Sequence, residues 1–134
     1  MHEELQKVLV IEDSVTSMKV IKHLIKNAGL EPVGANSLAE AKTTLARSSA
    51  EEYLCAVVDF CLPDALEGEA IDFAIGASIP TVVITGRLDE KTRNSVLNKD
   101  VVDYIPKENA QVYEYLGSLI KLLEKKKKIV LLFV

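Results

Sequence analysis

The chain has 134 residues, 49% hydrophobic and 27% charged, which suits one globular domain with its own core and leaves no tract that composition would make disordered. A formal net charge of −4 argues against a nucleic-acid surface, which would show a basic face, and no apolar run is long enough to span a bilayer. The opening MHEELQK is acidic and lacks the basic-then-apolar pattern of a secretion signal, so the expected compartment is cytoplasmic.

Residues 8–12, VLVIE, form a β-branched run suited to a strand covered on both faces. A helix is expected over 15–28, with Met18, Ile21, Leu24, Ile25 and Ala28 on one face, lysines and His23 opposite, and Gly29 as its stop. EPVGAN (31–36) is a weaker strand, since Pro32 and Gly34 both lower strand preference. Ser37 and Glu40 make a capping box that opens a helix to about Ser48. The third strand is 54–59. A helix at 68–75, a strand at 79–85, a short polar helix at 89–98 and a strand at 101–105 follow. Asn109 is placed to cap a last helix whose apolar residues Val112, Leu116, Leu119, Ile120 and Leu123 share a face. Alternation at this spacing predicts a doubly wound α/β fold, with five parallel strands and helices on both faces of the sheet. Cys55 and Cys61 have no Cys or His partners at zinc-site spacing and read as reduced thiols.

In such sheets, ligands bind beyond the carboxyl ends of the strands. The first strand ends in Glu12-Asp13, the third in Asp59 and the fourth in Thr85-Gly86, while the fifth leads to Lys107. Taken singly, each has an ordinary explanation: a helix cap, an Asx turn, a loop, a solvated lysine. Their coincidence at one edge is what carries meaning. Clustered carboxylates repel unless a counter-ion joins them, and Mg²⁺ is suited to two carboxylates, a main-chain carbonyl and waters. Asp13, Asp59 and the carbonyl after Phe60 are the candidate donors. Lys107 and Thr85 would then receive the oxygens of a phosphoryl group.

VLVIEDS, VVDFCLPD, VVITG and VVDYIPK together resemble the receiver domain of bacterial two-component response regulators, of the chemotaxis-regulator type, over residues 7–124. The resemblance implies a flavodoxin-like strand order 2-1-3-4-5. It makes Asp59 the phosphoryl acceptor, Glu12 and Asp13 the acidic metal pair, and the main-chain carbonyl of Cys61 the remaining protein ligand. Mg²⁺ is the implied cofactor, with Mn²⁺ able to substitute. Thr85 matches the conformational hydroxyl, Lys107 the phosphate-pairing lysine and Tyr104 the aromatic switch. Implied partners are a histidine kinase or phosphotransfer protein, then an output domain or a second copy through the face of the fourth helix, fifth strand and fifth helix. Nucleic acid and membrane are not expected partners of this domain. The resemblance also implies a signalling domain that accepts and slowly loses its own phosphoryl group, not an enzyme. Departures from the family pattern are Cys61 in place of a polar residue, a 63–68 loop one residue longer than usual, and Pro106 before Lys107 with Glu108 after it.

A Mg²⁺-dependent small-molecule phosphatase with an aspartyl intermediate is the enzymatic alternative, but Cys61 stands where its second acid would be. A flavin or nucleotide module would want a glycine-rich loop after the first strand. A phosphorylation-independent dimerising scaffold would not need the full acidic set. Residues 125–134, basic then apolar, read as a tail outside the 1–124 unit: Lys125–Lys128 as the solvated end of the last helix, and the apolar end of KKKIVLLFV as a terminal strand that either begins a following receiver-like domain or docks on its own domain or a partner's.

Overall fold

The computed structural model describes residues 5–87, 89–108 and 110–133. Strands and helices alternate along it: β1 (Lys7–Ile11), α1 (Val15–Asn27), β2 (Glu31–Ala35), α2 (Leu38–Ala46), β3 (Tyr53–Asp59), α3 (Glu69–Gly76), β4 (Thr81–Thr85), α4 (Glu90–Leu97), β5 (Asp103–Pro106) and α5 (Val112–Leu132). All neighbouring strands are parallel, in the order β2-β1-β3-β4-β5. No helix among the described residues is long and apolar enough to cross a membrane.

Strand side chains divide by parity. Leu9, Ile11, Ala56, Val58 and Val83 pack with α2, α3 and α4, whereas Val8, Val10, Cys55, Val57, Val82 and Ile84 pack with α1 and α5. This is period-2 alternation with both faces covered, and it explains why β3 and β4 are buried at every residue. Right-handed crossovers account for the split, because the step from β1 to β2 runs opposite to the later steps and sends α1 to the other face. The reversal leaves a crevice beyond β1 and β3. β2 tolerates Pro32 because it is the edge strand, half exposed along most of its length.

Local signals set the helix ends. Ser14, Ser37 and Asp89 accept the N–H groups of Ser17, Glu40 and Thr92 at 3.2, 3.1 and 2.9 Å. After α1, Gly29 at φ +79° lets its own N–H reach Lys26 O and that of Leu30 reach Ile25 O, at 3.0 and 3.2 Å. A 3-10 helix, Ala50–Glu52, was not expected, although Ser49 and Glu52 form a capping box there.

The tail departs from the sequence expectation. Lys125–Lys128 are helical as expected, but residues 129–132 are not a strand: they are the last turns of α5. Once a helix is nucleated each further residue adds a hydrogen bond, and neither Gly nor Pro follows Gly117 to end it. Asn109, expected as the cap of this helix, lies outside the described residues, and α5 starts after Gln111.

Candidate functional site

The parallel strands aim their carboxyl ends at the crevice, so the residues just past them converge. Glu12 follows β1, and its N–H reaches Ala35 O at 3.0 Å, which continues the pairing with β2 and fixes the backbone. Its carboxylate is buried, 2% exposed, with Oε1 accepting the Ser14 N–H at 3.0 Å. Asp59 ends β3 and is also buried; its Oδ1 is 3.4 Å from the Cys61 N–H. Lys107 follows β5, and its N–H donates to Thr85 O at 2.9 Å. Its ammonium lies 2.8 Å from Glu12 Oε2 and 3.1 Å from Asp59 Oδ2. Asp13 stands exposed at the rim, and one oxygen from each of Glu12, Asp13 and Asp59 falls within 4.8 Å of the others.

Burial, like charge and the Lys107 ammonium all bear on this cluster. Burial pushes the Glu12 carboxyl above its ordinary range and the Asp59 charge adds to this, although Lys107 and the Ser14 N–H pull the other way. Burial works against the Lys107 ammonium too, but the hydrogen bond to Glu12 and the Asp59 charge outweigh it, so its pKa is raised. Three carboxylates against one ammonium leave a double negative charge, and every donor is a hard oxygen. That donor set fits a divalent cation of the Mg²⁺ type.

The remaining sequence-derived residues are placed as follows. Thr85, 1% exposed, ends β4 one residue past Ile84, the register partner of Asp59, and its Oγ1 accepts the Arg87 N–H at 3.0 Å. Tyr104 lies in β5, half-buried, and does not touch the carboxylates; its hydroxyl donates to Arg87 O at 3.1 Å. Cys61 is exposed beside the acceptor loop. Cys55 is buried under the sheet, where burial pushes its thiol up to about 12. Sequence reasoning missed Arg87, and it read Asp64 and Glu67 only as extra acids of the 63–68 loop bearing on partner access, without the contact Asp64 makes. Asp64 sends its carboxylate across to α2, accepting the Leu38 and Ala39 N–H groups at 2.9 Å each. The only sequence signal for Arg87 is its place two residues after Thr85, at the same strand end as the acids.

This arrangement has known counterparts. The family model described as the response regulator receiver domain matches residues 8–114. The sensor protein TorS of Escherichia coli (strain K12) is 30% identical over 80 residues, 60% of this chain and 8% of TorS. A solved chain described as a "probable two-component system response regulator/GGDEF domain protein" is 31% identical with a TM-score of 0.70, covering 89% of this chain and 47% of that one. The chain therefore spans less than half the length of either relative. A response regulator receiver domain protein from Clostridium thermocellum shares the fold, with a TM-score of 0.78 at 21% identity over 94% of this chain and 99% of that one. Receiver domains are signalling domains and not, in general, enzymes. With the fold, the strand order and a match over most of the chain in agreement, this protein belongs to the response regulator receiver domain family, the phosphoacceptor module of two-component signalling.

Proposed function

We propose that Asp59 is the phosphoryl acceptor and that the donor is a phosphohistidine on a histidine kinase or phosphotransfer protein. The observation that carries this is the Lys107 ammonium set between two buried carboxylates, Glu12 and Asp59, with Asp13 beside them at the open rim. An Asp59 oxygen attacks phosphorus in line as the bond to the partner's imidazole nitrogen breaks, and the imidazole leaves with the electron pair of that bond. Glu12, Asp13, Asp59 and the Cys61 main-chain carbonyl would hold Mg²⁺, or Mn²⁺, which would supply positive charge against the transferring phosphoryl oxygens. Lys107 is already within hydrogen-bond distance of Asp59 and needs only to exchange a carboxylate oxygen for a phosphoryl one. Thr85 donates its hydroxyl to a second phosphoryl oxygen.

The new phosphoryl charge interacts unequally with two conformations and so shifts their populations. Tyr104 is the residue that reports the change to the α4–β5–α5 face, where an output domain or a second copy would bind. Water hydrolyses the acyl phosphate slowly, so the signal expires by itself. A phosphohistidine donor of this kind suits a cytoplasmic domain. Residues 1–124 hold the receiver unit in this reading.

Intact-mass measurement after incubation with Mg²⁺ and acetyl phosphate tests the proposal. One added phosphoryl group is expected, lost on chelation and in Asp59→Asn. Unchanged incorporation in that variant would move the acceptor elsewhere.

A further inference from the structure

The connection between β3 and α3 carries the Cys61 carbonyl, and a short hairpin sets its shape. Leu62 N–H donates to Ala65 O at 3.0 Å, and Ala65 N–H returns a bond to Leu62 O at 3.1 Å. Both residues are buried, and the base of the loop is closed by Gly68 N–H on Phe60 O at 3.2 Å. The Cys61 carbonyl and the Leu62 N–H belong to one trans peptide unit, so they point in opposite directions. Turning that N–H inward to Ala65 turns the carbonyl out of the hairpin. Whatever holds the hairpin therefore holds the direction of the carbonyl.

Pro63 and Asp64 form the tip of the hairpin, and Asp64 reaches out of the loop altogether. Its two carboxylate oxygens accept the N–H groups of Leu38 and Ala39, the first residues of α2, at 2.9 Å each. The first N–H groups of a helix have no partner within it, and that end favours negative charge. Ser37 takes the Glu40 N–H, and Asp64 takes the two that precede it. α2 follows β2, the neighbour of β1, and Ala35 O at the end of β2 accepts the Glu12 N–H at 3.0 Å. Asp64 thus ties the loop carrying one implied metal ligand to the segment against which another is fixed. The task needs a carboxylate, because two adjacent donors want two acceptor oxygens on a short stem.

We infer that Asp64 is a positioning residue for the divalent cation: by pinning the hairpin to the start of α2, it holds the Cys61 carbonyl in place as a ligand. This rests on the reading of Glu12, Asp13, Asp59 and that carbonyl as the metal site. The test uses the full chain with Mg²⁺ alone and compares Asp64→Ala, Asp64→Asn and Ser37→Ala with the parent. Ser37→Ala is the control, since it removes a cap from the same helix without touching the hairpin. Mg²⁺ titrations followed by amide NMR read the dissociation constant. Hydrogen exchange of the Leu62 N–H in EDTA reads the hairpin without metal. Asp64→Ala is expected to weaken Mg²⁺ binding by about five-fold or more and to lower Leu62 protection by a similar factor. Asp64→Asn keeps one acceptor oxygen but sets an amide N–H against the other donor, and falls between. Ser37→Ala lowers the melting temperature and leaves both readouts within about two-fold of the parent.

A merely structural Asp64 would lower the melting temperature as Ser37→Ala does and leave the dissociation constant where it was. That result overturns the inference, as does unchanged Leu62 protection in Asp64→Ala. A parent chain that takes up no Mg²⁺ overturns the reading of the metal site instead, and the exchange measurement still decides whether Asp64 holds the hairpin. Neither readout involves phosphoryl transfer, so both stand whichever residue is the acceptor.

Discussion

Lys107→Met is expected to destabilise the fold more than any other single change at the site. The substitution keeps the apolar stem and removes the ammonium, leaving Glu12 and Asp59 facing each other with 2% and 7% exposure. Removing one partner of a buried ion pair costs about 3–5 kcal/mol where the remaining charge is sealed off. Here the Lys107 side chain is 22% exposed, so water reaches the gap, and about 2–3 kcal/mol is the appropriate figure. At this chain length each kcal/mol moves the melting temperature by about 3–5 °C, which gives a fall of roughly 6–15 °C. Thermal unfolding followed by circular dichroism at pH 7.5 in EDTA reads it directly. Two companion measurements isolate the cause. Glu12→Gln in the Lys107→Met background should recover part of the loss, because one of the two opposed charges is gone. Added Mg²⁺ should raise the melting temperature of Lys107→Met more than that of the parent, since the cation no longer competes with the ammonium for the same oxygens. A variant that melts within a degree or two of the parent in EDTA would refute the electrostatic account of this cluster.

Other residues give independent checks. Gly68 sits at φ +82° with Phe60 Cε2 only 2.8 Å from where a Cβ would stand, so Gly68→Ala should cost about 1–3 kcal/mol, read as a lower urea midpoint at unchanged m-value. The Ala39 and Leu38 N–H groups hold the Asp64 carboxyl below its ordinary 3.8, and this stabilisation is present above that value and lost as pH falls through the lower folded-state pKa. Asp64→Ala should therefore melt below the parent at pH 6, with the gap closing toward pH 3; a gap independent of pH would exclude the carboxylate as its source. Leu97, Val102, Tyr115 and Leu122 are 52, 41, 47 and 60% exposed on the α4–β5–α5 side. If copies associate through that side, Leu122→Glu should weaken the dimer by about ten-fold or more in sedimentation equilibrium, and an unchanged constant would discard this face.

What the sequence disclosed follows from which features are local. Strand and helix alternation is written in residue type. Once the strands are parallel, geometry obliges Glu12, Asp59, Thr85 and Lys107 to emerge at one edge, so their convergence needed no knowledge of loop paths. The tail failed for the opposite reason. IVLLFV is apolar and partly β-branched, and periodicity alone does not separate a short strand from a helix end. What decided it was the nucleated helix before it. The contacts of Asp64 with α2 and of Arg87 with Phe60 and Glu67 were illegible because they join loops, whose courses depend on packing and not on period. These loop-to-loop contacts are also where one receiver can differ from another without altering the sheet. Carboxyl ends of strands fix where chemistry occurs. The acid cluster and its lysine are held by their mutual neutralisation, so a change at any one of Glu12, Asp59 or Lys107 is felt by the other two.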